Sequence, residues 1–139
     1  MAPKVPTVDQ QQRTILVVDD DPAILKFVSG LLVDAGYHVL TAGSGAAALQ
    51  QSTAYEGEIH LLLSDFQMPA MSGIEIATRM SVDRPQLKVL LMSGFTGGML
   101  VLNEGWHFLA KPFVPSQLRA LILGLVFPDR GSSFKPVAR

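Results

Sequence analysis

IHLLLSDFQMPAMSG, residues 59–73, decides the architecture. The run from Ile59 through Leu63 is too short for a globular helix and reads as a strand buried on both faces, since a strand inside a parallel sheet needs no polar alternation. It ends in Ser64 and Asp65, and a loop carrying Pro69 and Gly73 follows. A carboxylate at the carboxyl end of such a strand lies where open α/β sheets place their ligand chemistry. Asp65 is therefore the candidate bearer of the reactive atom.

The same grammar recurs on both sides. Residues 14–18, TILVV, form a β-branched buried run that ends in Asp19, Asp20 and Asp21. Asp21 before Pro22 is a helix start, because the carboxylate can cap free N–H groups and proline has none to lose at the first position. Ile24, Leu25, Val28, Leu31, Leu32 and Ala35 make the helical stripe, and Gly36 supplies the left-handed stop. Residues 37–42 are the next strand, and Gly43, Ser44 and Gly45 open an Ala-rich helix to Ser52. After the Asp65 loop, Ile74, Ala77 and Met80 mark a helix from Gly73 that ends before Pro85. Residues 87–92 and 107–110 are strands ending in Ser93 and Lys111, and residues 114–126 are the last helix. Strands alternating with helices imply an α/β fold with a parallel sheet and right-handed crossovers. All strand carboxyl ends then share one edge, which brings Asp19, Asp20, Asp65, Ser93 and Lys111 together.

Hydrophobic residues make up 48% of the 139, enough for one core and too few positions for a second domain. The expected organisation is a flexible leader at 1–13, a folded domain at 14–127 and a tail at 128–139, with no effector domain following. The leader has no apolar segment of the secretory kind, and no apolar run nears the roughly 20 residues of a membrane span, so a cytoplasmic place is expected. The absence of Cys excludes disulfides and thiolate metal sites. A net charge of -1 offers no general attraction to a phosphate backbone, so no nucleic-acid partner is expected.

Three carboxylates in one cleft repel one another and persist as anions only beside a cation. No His or Cys lies near these strand ends, so oxygen ligation points to a hard ion, Mg²⁺ first. Lys111 can pair with a phosphoryl oxygen and Ser93 can donate to another, and an Asp carboxylate is a known phosphoryl acceptor. His38, His60 and His107 lack ligand spacing and are expected to be ordinary packed or edge histidines. Met68, Met71, Met92 and Met99 are expected to fill gaps, and Trp106 to cover the segment beside it.

VVDDDP, SDFQMPAMSG, VLLMSG and FLAKPF, in this order and at strand ends, resemble the receiver domain of two-component response regulators over residues 14–126. The resemblance implies a three-layer, doubly wound, flavodoxin-like receiver fold with five parallel strands in the order 2-1-3-4-5. It further implies that Asp65 is the phospho-acceptor, that Asp20, Asp65 and the Gln67 main-chain carbonyl hold Mg²⁺, and that Asp19 reaches it through water. Lys111 and Ser93 would bind the phosphoryl group, Lys111-Pro112 would be cis, and Ser93 and Phe108 would form the switch. Gln67 and Phe95 would tune hydrolysis. The phosphoryl donor would be a phosphohistidine on a histidine kinase or histidine phosphotransfer protein, and the chain would be a switch rather than an enzyme with turnover. The Ser93-Gly94-Phe95 triplet resembles receivers of hybrid kinases and phosphorelays.

The segment between Ser93 and Lys111 is short for that family, and Gly97, Gly98 and Gly105, at about 1 kcal/mol each, weaken any helix in it. A shortened fourth helix is expected. In the last helix Leu118, Leu121, Ile122 and Leu125 make a core stripe, leaving Ala120, Leu123, Val126 and Phe127 as extra apolar surface. Either a partner, such as a second copy on Leu123 and Phe127, or the tail would cover them. Among other functions, an Asp-nucleophile phosphatase of the haloacid dehalogenase type fits Asp19 and Asp21 only superficially and lacks room for its cap. A flavodoxin-like cofactor carrier would need a phosphate cradle where this chain has acids. A degenerate receiver used only for docking would not need the full set of site residues.

Overall fold

The computed structural model describes residues 12–94 and 106–128. The helix expected between the fourth and fifth strands, with Phe95 and Met99, lies outside them. Five strands are present among these residues: β1 (Thr14–Val18), β2 (His38–Ala42), β3 (Leu61–Asp65), β4 (Lys88–Ser93) and β5 (Trp106–Ala110). They form one parallel sheet in the order β2-β1-β3-β4-β5, as the resemblance implies. Four helices are described: α1 (Pro22–Asp34), α2 (Gly45–Ala54), α3 (Gly73–Asp83) and α4 (Pro115–Val126).

The continuous apolar runs divide between two cores by strict alternation. Ile15, Val17, Leu61, Leu63, Leu90 and Met92 face α1 and α4, where Val28, Leu32, Leu118, Ile122 and Val126 meet them. Leu16, Val18, Leu62, Val89 and Leu91 face the other way, onto Ala48 of α2 and Ile76, Ala77 and Met80 of α3. A strand covered on both sides has no solvent face, which is why these runs lack polar alternation.

Local signals set most boundaries. Asp21 caps α1 by accepting from the Ala23 and Ile24 N–H groups at 2.9 and 3.4 Å, and Gly36 takes φ 100° after its end. Ser44 and Ser72 cap α2 and α3 at 3.1 Å each. Arg84 then closes the far end of α2, donating to the Ser52, Tyr55 and Gly57 carbonyls and to Ser52 Oγ. That cluster satisfies carbonyls that a helix terminus leaves without partners.

Several strand and helix ends shift by one or two residues, and three departures from the pattern reading bear on packing. The central strand begins at Leu61 rather than Ile59, although Ile59 is buried and the His60 N–H donates to the Thr14 carbonyl at 2.8 Å. Val126, expected on the surface of the last helix, is buried in the first core. Ala35, expected in the α1 stripe, is the exposed C-cap, so Val28 and Leu32 carry the burial of that helix. Sidedness in a nearly all-apolar helix is set by what it packs on, and periodicity alone does not fix it.

The histidines are ordinary, as expected. His38 is exposed on the sheet edge and stacks on Tyr55, and His60 Nδ1 accepts from the Thr14 N–H at 3.0 Å. Burial lowers the pKa of both His60 and His107. Met92 is fully buried, while Met68, Met71 and Trp106 pack half-buried against the second core.

Gly73 is where the loop after Asp65 returns to the sheet. Its N–H donates to the Phe66 carbonyl at 2.9 Å, and a Cβ here would collide with the Asp65 carbonyl oxygen and press on Leu91. Gly73→Ala is expected to destabilise the protein by about 1–3 kcal/mol in urea unfolding, because the obstruction is backbone and cannot swing aside.

Candidate functional site

Parallel pairing places the ends of β1, β3, β4 and β5 side by side. Val18 pairs with Ser64, Asp65 with Met92, and Ser93 with Ala110, so the residues just beyond each strand fall into one cleft. One carboxylate oxygen from each of Asp19, Asp20 and Asp65 lies within 4.8 Å of the others. Lys111 Nζ donates to Asp65 Oδ1 at 3.0 Å and stands 3.8 Å from Asp19 Oδ2. The first is a hydrogen-bonded ion pair and the second is Coulombic only.

The three acids sit in different surroundings. Asp19 is 1% exposed, Asp65 is half-buried and Asp20 is exposed. Asp19 Oδ1 accepts from the Asp21 N–H at 2.9 Å, whereas its buried Oδ2 has no hydrogen-bond partner. Burial pushes the Asp19 carboxyl above its usual range; the bond from Asp21 opposes this, Asp65 raises it further and Lys111 lowers it. An orphaned buried carboxylate oxygen facing two further acids, with oxygen donors alone in reach, fits a hard divalent cation.

Ser93 closes β4, is buried, and its carbonyl accepts from the Lys111 N–H at 2.7 Å. The Lys111-Pro112 bond is cis. Gln67 is exposed in the loop that leaves Asp65. In that loop the Met71 N–H reaches the Pro69 carbonyl at 2.7 Å, a three-residue turn with Ala70 at φ 70°. A left-handed alanine costs on the order of 1 kcal/mol, and the Ser72 cap and the Gly73 bond hold the turn from its far side.

The structure thus brings together Asp19, Asp20, Asp65 and Lys111, with Ser93 on the neighbouring strand end. Phe108 lies on β5, half-buried against the second core, and its ring meets Phe66 edge-on at 6.4 Å. Sequence reasoning missed Phe66; the one available signal was an aromatic residue directly after the candidate acceptor. It also missed Arg13, which donates to the Val126 carbonyl at 3.0 Å and lies 4.4 Å over the Phe127 ring. Phe127 is thereby partly covered by the chain's own residue ahead of β1, while Leu123 remains 40% exposed.

The family model described as the response regulator receiver domain matches residues 15–123. The chain is 39% identical to the response regulator receiver protein CpdR of Brucella abortus over 107 residues, which cover 73% of this chain and 86% of that one. It is 31% identical to the probable transcriptional regulatory protein TcrX of Mycobacterium tuberculosis, covering 89% of this chain but only 56% of TcrX. Among solved structures, the response regulator TrrA of Thermotoga maritima, in complex with Mg²⁺-BeF, superimposes with TM-score 0.71 at 27% identity over 82% of this chain and 99% of that one. The receiver domain of the hybrid histidine kinase CckA gives TM-score 0.73 at 29% identity over 81% and 98%. By sequence, by strand order and by the clustering of acids and lysine at the strand ends, this chain belongs to the response regulator receiver domain family, the phosphorylatable signalling modules of two-component systems.

Proposed function

We propose that Asp65 accepts a phosphoryl group from a phosphohistidine on a histidine kinase or histidine phosphotransfer protein. The observation that carries this reading is the Lys111 to Asp65 bond of 3.0 Å at the mouth of an acid cluster. In the transfer an Asp65 carboxylate oxygen forms a bond to phosphorus, the phosphorus to imidazole nitrogen bond breaks, and that electron pair returns to the imidazole. Hydrolysis of the acyl phosphate resets the chain. That chemistry consumes the donor once per cycle and makes the chain a switch rather than a catalyst with turnover.

Each neighbour has a distinct task. Lys111 compensates the acids now and pairs with a phosphoryl oxygen after transfer, and Ser93 donates its hydroxyl to another. Asp20, Asp65 and the Gln67 main-chain carbonyl would hold Mg²⁺, with Asp19 acting through water. Bound there, the ion would neutralise the carboxylates and the oxygens of the incoming group. Oxygen donors throughout and the orphaned Asp19 Oδ2 support that choice, as does the Mg²⁺-BeF complex of TrrA, a relative in fold and sequence. By the family's pattern Gln67 and Phe95 would tune hydrolysis, Phe95 lying outside the described residues. Among the described residues no helix is long and apolar enough to cross a membrane, which supports a cytoplasmic place. Ser93 and Phe108 form the switch pair, and Leu123 is the apolar side chain left for a second copy.

Incubation with Mg²⁺ and acetyl phosphate should add one base-labile phosphoryl group to the parent, seen by intact mass. Asp65→Asn should acquire none, and Lys111→Ala should label at least tenfold more slowly. Equal labelling of Asp65→Asn and parent rejects the acceptor assignment.

Asp19 holds its proton more tightly in the folded than in the unfolded chain, so its contribution to stability weakens as pH rises from 3.8 through its raised value. Metal-free Asp19→Asn should therefore be more stable than the parent at neutral pH by about 1 kcal/mol, a few degrees in melting temperature. That advantage should vanish in acid, and added Mg²⁺ should raise the melting temperature of the parent more than that of the variant.

If Leu123 seats a second copy, sedimentation at rising concentration should show the parent dimerising and Leu123→Glu remaining a monomer. A parent that stays monomeric throughout removes self-association.

A further inference from the structure

Phe66 directly follows Asp65, and its backbone is held on both sides. Its N–H donates to the Met92 carbonyl at 2.7 Å and its carbonyl accepts from the Gly73 N–H at 2.9 Å. The ring therefore stands on fixed backbone one residue from the acceptor. It meets Phe108 with centroids 6.4 Å apart and planes at 83°, the edge-to-face geometry aromatic rings favour. Phe108 pairs with Leu91, two positions before Ser93 on the same face of β4. Both rings are half-buried against the second core. Neither carries a hydroxyl, so the orientation of Phe108 has no hydrogen bond of its own to depend on and is set by packing.

We propose that Phe66 is a positioning residue for Phe108: the edge-to-face contact of its ring holds Phe108 turned into the second core before any phosphoryl group arrives. The inference rests on the assignment of Asp65 as acceptor and deepens it. If charging Asp65 favours the inward ring, then whatever favours the inward ring also favours the charged site, because coupling between two sites is reciprocal. An edge-to-face pair is strong enough to bias such an equilibrium by about two- to tenfold. Phe66 thus sets how far the uncharged chain already resembles the charged one.

The test uses the whole chain, with Mg²⁺ and beryllofluoride as the phosphoryl mimic and ¹⁹F spectra of fluorophenylalanine-labelled protein, the Phe108 line being assigned through Phe108→Leu. Phe66→Leu is expected to shift the Phe108 line in anion-free protein and to weaken beryllofluoride binding by about two- to tenfold. Phe66→Tyr, which keeps a ring edge, should restore both, and Phe66→Leu with Phe108→Leu should bind no more weakly than either alone. Phe66→Met repeats the comparison with a second side chain that fills the space without a ring. An unmoved Phe108 line, parental binding in Phe66→Leu, or additive effects in the double variant would overturn the proposal. A parent that binds no beryllofluoride with Mg²⁺ present sinks the acceptor assignment instead, and the anion-free Phe108 line still decides whether Phe66 positions the ring.

Discussion

One ammonium among three carboxylates is the constraint around which this molecule is arranged. Lys111 is hydrogen-bonded to Asp65 and lies within Coulombic reach of buried Asp19, so a single positive charge compensates a cluster that would otherwise repel itself apart. That compensation is incomplete. Asp19 Oδ2 is buried without a hydrogen bond, and burial raises its proton affinity. A fold that gives up stability at one edge in this way keeps a site in which an added cation improves the electrostatics and so makes an anionic group tolerable beside the acids.

The parallel sheet makes the arrangement possible. Because every strand runs the same way, residues remote in sequence arrive at one edge: Asp19 and Lys111 are brought together by β1, β3, β4 and β5 in register. Both faces of the sheet are covered, so the inner strands expose chemistry at their ends. Gly73 and the tight turn at Ala70 then fold the loop after Asp65 back against the sheet, which fixes the backbone that follows Asp65. Rigidity matters for phosphoryl transfer, in which the protein contributes positioning and charge rather than covalent chemistry beyond the nucleophile.

The two aromatic rings beside this edge connect it to the second core. Phe66 is anchored through its backbone to β4 and to the start of α3, and Phe108 leans on it from β5. Asp65 is thus joined to β5 through its neighbour Phe66 and the contact of the two rings. On the opposite face, Arg13 ties the entry of β1 to the end of α4 through the Val126 carbonyl and the Phe127 ring. Chain entry and last helix are joined there, so Leu123 is the larger apolar side chain of α4 that stays open to solvent among the described residues.

The sequence alone determined the alternation of strands and helices, the cap at Asp21, the stop at Gly36, and the identity of the acids, serine and lysine at the strand ends. These are local: a buried parallel strand must be apolar along its length, and a helix start must supply its own acceptors. Strand order lies outside periodicity and was available only through the likeness of four motifs to a known family. Tertiary structure decided what depends on remote neighbours. It buried Val126, laid Arg13 over Phe127, paired Phe66 with Phe108 and left one oxygen of Asp19 without a partner. None of these follows from spacing along the chain, because which face of an apolar helix is covered, and which polar atom is stranded, is set by the surface that packs against it.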